Sequence, residues 1–437
     1  MLRNPSHRSI LGIWLGWVVI MFVYQLMIPA RFDLARPDYA LQWTAAETLP
    51  NSQAGKVYLN EPLLNTHVSW DSEYYLAIAV GGYEDPGIGR INVAWGNVSS
   101  GGGFWPFIIP SSAVQGIGGI SRSYAFFPFY PLLIRLFSYP LSLLGLTPIA
   151  TATLAGVIVS MLGTLAGMLA LYEMAQVELG KDGGLRAAFY LIIFPSGFFL
   201  AQVYTEGLFV GLAFSSLLLL RRGNRGWAVL LAVLATLTRA VGVVLIIPLI
   251  NSWVKDNEWR ELDLEWRQIY YHGLPWKAIF HGLVTLTPLL VFVIWRVSYY
   301  GMAFGKVETE FFGRGLLSLG SSFLNWTHAF QDLSGDNPQA AVYYAIEWGA
   351  ILLGLTACIL EFRHNPDLAW FGLLVVLLSF TSGPAQGMHR YILAAPPVFL
   401  FLSRLGRREA FDRAWVIASI LLMGMMATLF TFDLWAG

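Results

Sequence analysis

The chain has 437 residues, 56% hydrophobic and only 12% charged, with a formal net charge of zero. Soluble domains carry about 25% charged residues; at a mean hydropathy of +0.58 this chain has too little polar surface to cover a water-soluble globule. Net neutrality gives no basic surface for nucleic acid, and a single cysteine, Cys358, excludes a disulfide framework or a thiolate metal site.

In chain order, the first apolar run covers residues 10–30. It is longer than the h-region of a secretory signal and lacks a small-x-small cleavage site. It therefore reads as a spanning helix, with Arg3 and Arg8 on the cytoplasmic side. Crossing roughly 30 Å takes about 20 apolar residues. Ten further runs are candidate spans: 150–176, 186–202, 206–220, 227–238, 240–254, 278–299, 342–361, 368–383, 390–404 and 414–434.

Several of these are short, and charge supplies a parity check. Arg221, Arg222 and Arg225 form one positive turn, and Arg404, Arg407, Arg408 and Arg413 another, so both are expected in the cytoplasm. The mixed-charge segment 255–277, with Lys255, Arg260, Arg267 and Lys277, is placed there too. The run 227–254 must then be two short passes turning at the outer face near Thr238-Arg239-Ala240. Residues 126–147 are hydrophobic enough to span, but crossing would invert every later helix. With Arg135, Pro128, Pro131 and Pro140 inside it, this stretch is expected to lie along the outer interface as an amphipathic helix.

The expected architecture is an all-α integral membrane protein, one polytopic domain over 1–437 with about eleven transmembrane helices. Two large extracytoplasmic loops follow, 31–149 with interfacial helices and 300–341. The first is acidic, with Asp33, Asp38, Glu47, Glu61, Asp71, Glu73, Glu84 and Asp85, and is glycine-rich between Gly101 and Gly119. Asn97-Val98-Ser99 and Asn325-Trp326-Thr327 fit the N-glycosylation pattern, which short chance matches also satisfy.

The strongest local feature is His67-Val68-Ser69-Trp70-Asp71-Ser72-Glu73-Tyr74-Tyr75. Ser69 is a candidate N-cap, which would put Asp71 in a first helical turn. Asp71, Tyr74, Tyr75 and Ile78 then share one stripe, setting a carboxylate beside apolar side chains that would touch the membrane. Either Asp71 complements the helix dipole, or it acts on a substrate. Glu206, after Tyr204-Thr205, lies at an outer helix start, and Arg239 and Arg390 near outer span ends. Charges this close to a bilayer mark function, a structural pair or snorkelling. His389 precedes Arg390 and could help hold a phosphate. All these groups fall on one side of the membrane. That suits a carboxylate base and phosphate-binding arginines at the outer leaflet. No metal-ligand spacing, phosphate loop or cofactor motif stands out.

Five stretches carry a family resemblance: Trp70-Asp71-Ser72 with Tyr75, Gly82 and Tyr83; Ala125-Phe126-Phe127-Pro128 with Tyr130-Pro131-Leu132; Phe194-Pro195 through Tyr204-Thr205-Glu206; Leu237-Thr238-Arg239; and His389-Arg390-Tyr391. In this order they resemble the GT-C class of membrane glycosyltransferases, and within it the PIG-V-like group, whose eukaryotic members add the second mannose in GPI-anchor assembly. The resemblance implies a polyprenyl- or dolichyl-phosphate-sugar donor and metal-independent inverting transfer. It also implies a lipid, glycan or protein acceptor and a cavity at the outer face. By position, Asp71 matches the first-loop acid that deprotonates the acceptor, and Glu206 the acid of the second external loop. Trp70, Tyr204, Arg239, His389 and Arg390 are implied as substrate-binding, the arginines at the departing lipid phosphate. Ala240 stands where many relatives have proline, so the turn that places Arg239 is less rigidly specified. A polytopic lipid or solute transporter or flippase is the alternative, although no internal repeat of the kind common in transporters is visible.

Overall fold

The computed structural model describes residues 5–34, 37–49, 52–61, 64–92, 119–256 and 276–437. The Asn97 motif, most of the glycine-rich stretch and most of segment 255–277 lie outside the described residues.

The chain is mostly helical. The helices that build the bundle are α1 Pro5–Arg31, α2 Ser72–Val80, α3 Phe129–Leu141, α4 Pro148–Ile193 and α5 Thr205–Arg221. They continue with α6 Arg225–Thr236, α7 Ile246–Asp256, α8 Trp276–Thr285, α9 Thr287–Val297, α10 Tyr299–Glu310 and α11 Leu319–Gln331. The last are α12 Pro338–Glu361, α13 Pro366–Phe380, the single turn α14 Met388–Tyr391, α15 Pro396–Leu405 and α16 Glu409–Thr431. One antiparallel pair of two-residue strands, Arg90–Ile91 against Ile120–Ser121, departs from the all-α expectation.

Length and hydropathy qualify four helices as spans among the described residues: α1, α4, α12 and α16. The bent pair Ile279–Thr285 and Thr287–Val297, angled by 50°, makes a fifth. The remaining expected spans are broken or short, for local reasons. The run 186–202 is not a continuous helix: α4 ends at Ile193, and Phe194 turns extended with ψ 148°. Pro195 disfavours helical backbone at the residue before it, and the chain continues as a 3-10 turn over Gly197–Ala201. Pro396 likewise separates the single turn α14 from α15. Exposed apolar side chains on the long helices, such as Ile20 and Leu26 on α1 or Leu421 on α16, present an oily surface as a lipid-facing bundle requires.

Within the stretch 126–147 only Phe129–Leu141 forms α3, with Tyr130, Pro131 and Ile134 buried on one side and Leu132, Leu136 and Tyr139 exposed on the other. Arg135 explains its own presence: its guanidinium donates to the carbonyls of Ala79 (2.8 Å) and Ile78 (3.3 Å), capping the end of α2.

Two polar regions occupy opposite ends of α5. At its last turn, Arg222 pairs with Glu173 of α4 at 2.7 Å. In the same region Arg404 holds Glu178 at 2.9 Å and Glu361 at 2.6 Å. His7 reaches Glu173 at 2.6 Å. Both arginine-rich turns thus gather around α4 near its break at Gly180. The other end of α5 begins at Thr205-Glu206, about 22 Å away at 1.5 Å per residue, and there the candidate site is built.

Candidate active site

Helix packing sets the position of Glu206. Where α4 crosses α5, a Cβ on Gly163 would lie 2.5 Å from the carbonyl oxygen of Gly207, so only glycine lets the backbones approach this closely. Glu206, in the first turn of α5, is thereby drawn inside the bundle and is 3% exposed. Gly242 does the same for Arg239: a Cβ there would meet the Ala235–Thr236 peptide at 2.5 Å, closing the reversal between α6 and the 3-10 turn Ala240–Leu245. The turn near Thr238-Arg239-Ala240 forms without the relatives' proline.

Asp71 sits two positions earlier in its helix than the sequence suggests. It is the N-cap residue of α2, with no side-chain capping bond. Ser69 is not the cap; its hydroxyl donates to Asp433 at 2.6 Å. Trp70 takes a left-handed φ of 50°, and this kink separates Ser69 from the helix. Nor does the Tyr74-Tyr75-Ile78 stripe touch lipid, for all three are buried. Phe126 explains it: Tyr74 stacks on its ring at 4.7 Å and Tyr75 meets it edge-on at 5.0 Å. Sequence periodicity sees an apolar face but not the first loop folding over it.

Four of the expected residues converge. Arg390 Nη1 lies 3.2 Å from Asp71 Oδ2, and Arg390 Nε lies 3.2 Å from Glu206 Oε1. Arg239 Nη1 donates to the same Glu206 oxygen at 2.5 Å. Glu206 therefore bridges two guanidinium groups, and Asp71 holds the outer end of one. The Asp71 side chain is 26% exposed and opens on a cavity of about 1480 Å³, also lined by Trp70, Glu206, Arg239 and Arg390. Ligand sites for one small molecule run to about 300–1,000 Å³, so this space accommodates two.

Tyr204 and His389 do not line the cavity. Tyr204 is buried under Asp71, its hydroxyl accepting from the Asp71 N–H and donating to the Ser69 carbonyl, each at 3.2 Å. It braces the Ser69–Asp71 backbone from behind, away from the cavity. His389 is 1% exposed, with Nδ1 3.2 Å from Glu347 and Nε2 2.8 Å from the Ala436 carbonyl. Glu347 also accepts the backbone N–H of Gly387 at 2.5 Å and of His389 at 3.2 Å. His389 is thus a buried post holding the turn from which Arg390 projects, and a phosphate cannot reach it.

Several contributors escape the sequence reading. Arg314, between α10 and α11, donates to the Tyr391 hydroxyl at 2.5 Å. The guanidinium carbons of Arg239, Arg314 and Arg390 stand 5.1, 5.6 and 5.3 Å from the Tyr391 ring centre, a cluster of three cations around one aromatic face. Arg314 makes no ion pair within 4 Å among the described residues, so it is the least committed of the three. Flanked by glycines in a loop, it gives no sequence signal. Glu347 gives one, a lone acid inside an apolar helix. Asp433 accepts from Ser69 and from Gln53 Nε2, each at 2.6 Å. Trp70 Nε1 donates to the Leu434 carbonyl at 3.3 Å. Segment 433–436 therefore ties together the turn bearing Asp71 and, through Ala436, the turn bearing Arg390.

Asn325 of the second glycosylation pattern lies in α11 and donates its amide to the Gly383 carbonyl at 3.0 Å. Among the described residues, no group of three His, Cys, Asp or Glu side chains is placed to hold a metal ion.

Residues 107–302 match the profile of the family described as Mannosyltransferase (PIG-V), a range that includes Glu206 and Arg239 but not Asp71 or Arg390. GPI alpha-1,6-mannosyltransferase 2 of Mus musculus is 29% identical over 248 residues, 56% of this chain and 42% of that protein. The Homo sapiens protein of the same name is 26% identical over 246 residues, 55% and 42% of the two chains. The match thus spans less than half the length of these relatives. Among solved structures, ArnT from Cupriavidus metallidurans bound to undecaprenyl phosphate aligns over 96% of this chain and 76% of its own, at 14% identity and a TM-score of 0.44. The archaeal oligosaccharyltransferase AglB from Archaeoglobus fulgidus, in complex with an inhibitory peptide and a dolichol-phosphate, aligns over 96% and 55%, at 13% identity and 0.41. These two likenesses are too distant to transfer a ligand or a reaction. The sequence matches agree with one another: over its central residues 107–302 the chain is similar to the family described as Mannosyltransferase (PIG-V).

Proposed function

We propose that the protein is a GT-C-type glycosyltransferase, one polytopic unit of eleven crossings, that moves a sugar from a polyprenyl- or dolichyl-phosphate donor to an acceptor hydroxyl. Mannose is the sugar the PIG-V relationship favours. The cavity opens on the extracytoplasmic side, opposite the arginine-rich turns, in keeping with the positive-inside rule.

Asp71 takes the proton from the acceptor hydroxyl. The oxygen attacks the anomeric carbon, the carbon–oxygen bond to phosphate breaks on the opposite face, and its electron pair leaves with the lipid phosphate. The anomeric configuration inverts. Arg239, Arg314 and Arg390, fixed around Tyr391, stabilise the charge growing on the leaving group, the kind of preorganised electrostatics that carries much of enzymatic catalysis. Glu206 offsets two of those cations and keeps them from spreading apart. The observation that carries this reading is the chain Asp71–Arg390–Glu206–Arg239, a carboxylate and a cation cluster side by side on a cavity sized for two substrates.

Purified protein reconstituted in liposomes and given radiolabelled polyprenyl-phosphate mannose, glucose, galactose or arabinose tests it. Release of sugar from the lipid, lost in Asp71→Asn, is the expected result. Movement of an intact lipid-linked sugar between leaflets without cleavage of the phosphate bond would replace the transferase with a flippase.

A further inference from the structure

The cavity has a second polar wall that the transfer chemistry leaves unused. Glu73, two residues beyond Asp71, is 9% exposed and lines the cavity. Its Oε2 has no hydrogen-bond partner among the described residues. A buried carboxylate oxygen left unpaired is unfavourable, and a ligand donor would relieve it. Lys56 stands beside it, 3.2 Å from Glu47 Oε2 and 5.8 Å from the centre of the Trp70 ring. Trp43, 42% exposed, meets Trp70 edge-on at 5.5 Å. All five side chains border the same cavity.

We infer that Glu73, Lys56, Trp43 and Trp70 form the acceptor subsite, and that the acceptor is a saccharide ring. A sugar ring is amphipathic, with C–H groups on its faces and hydroxyls around its edge. Indole surfaces cover the apolar part, while a carboxylate that accepts and an ammonium that donates read the hydroxyls. A lipid phosphate suits the three guanidinium groups around Tyr391 better than this wall, whose one ammonium, Lys56, is already held by Glu47. Asp71 lies between the two regions, where an acceptor hydroxyl and a donor anomeric carbon would meet. This assignment rests on the transferase reading for its role, though not for its ligand chemistry.

The test uses full-length protein in lipid nanodiscs, free of glycoside detergents. Saturation-transfer NMR with methyl α-mannopyranoside and methyl α-glucopyranoside reads ring binding, and a separate titration reads polyprenyl-phosphate binding. At least one glycoside should bind wild type, and Glu73→Gln and Trp43→Ala should each weaken it about tenfold or more, about 1.4 kcal/mol. Polyprenyl-phosphate affinity should not change. Trp43 is exposed enough that its loss leaves folding intact, which a melting curve verifies. No glycoside binding to wild type, or undiminished binding in both variants, overturns the subsite whatever the turnover. Loss of glycoside binding in the variants, with no cleavage of any polyprenyl-phosphate sugar by wild type, leaves the subsite standing and defeats the transferase.

Discussion

Arg390 Nη1 lies 3.2 Å from Asp71 Oδ2, joining residues 319 positions apart in the chain. The contact holds one carboxylate oxygen and leaves Oδ1 without a partner among the described residues. Replacing Asp71 by Asn preserves the size and the oxygen facing Arg390 but removes the proton acceptor. Turnover should fall about 10²- to 10⁴-fold, the usual contribution of a positioned base, with little change in donor KM. Initial rates on labelled polyprenyl-phosphate sugar measure it, and near-normal turnover would sink the assignment.

Glu206 plays a different part, because it is almost fully enclosed and shared by two guanidinium groups. Glu206→Gln leaves Arg239 without its ion-pair partner and Arg390 with Asp71 alone. Removing one partner of a buried pair typically costs about 3–5 kcal/mol. The melting temperature should drop well below that of Asp71→Asn, whose carboxylate is partly solvated. Equal melting temperatures for the two variants would show that Glu206 is not the structural tie.

Arg314 is the cation with most capacity left for a phosphate. Arg314→Ala should raise donor KM about 10- to 150-fold, the equivalent of the roughly 1.5–3 kcal/mol of a charge-assisted hydrogen bond. Arg314→Lys should recover only part of this, since an ammonium cannot present the planar fork. Inhibition by free polyprenyl phosphate should weaken in parallel. Unchanged product inhibition would place the phosphate elsewhere.

Asp433 acts through other residues. It fixes Ser69 and thereby the left-handed Trp70 that presents Asp71. Asp433→Asn should lower kcat about tenfold, the equivalent of about 1.4 kcal/mol of misplacement. Polyprenyl-phosphate affinity, which the proposed function assigns to the arginines across the cavity, should be unaffected. A fall in that affinity together with kcat would indicate general loosening.

Two loop carboxyls make stability depend on pH. Burial raises both Glu73 and Glu308 to about 7 from 4.5, against the opposing pull of Lys56 on the first and Arg314 on the second. Between those values the folded chain binds more protons than the unfolded one. Stability should therefore be highest below about pH 4.5 with respect to these groups, decline toward pH 7, and level off above it. Glu308→Gln should flatten part of that decline. Melting temperatures across the window measure it; an unchanged slope would show that Glu308 does not titrate there.

The acids and arginines of the site were legible because charge is scarce in an apolar chain. Asp71, Glu206, Arg239 and Arg390 stand out against their neighbours, and their order carries the family resemblance. Roles were less legible than positions. Tyr204 and His389 belong to the same motifs as the working residues, yet a motif does not say which side chain faces a cavity and which braces it from behind. The 186–202 run reads as a span by hydropathy, but backbone restriction before Pro195 ends the helix early.

From the sequence alone come the membrane character, the apolar runs and the acids and bases worth weighing, because hydropathy and charge are properties of single residues and short windows. The shared Glu206 oxygen, the three guanidinium groups around Tyr391, the strap of 433–436 and the unpaired Glu73 were decided only by tertiary structure. Each needs groups from distant segments within about 3–6 Å of one another, the range over which hydrogen bonds and cation–π contacts act, and no local pattern encodes a distance between remote parts of a chain.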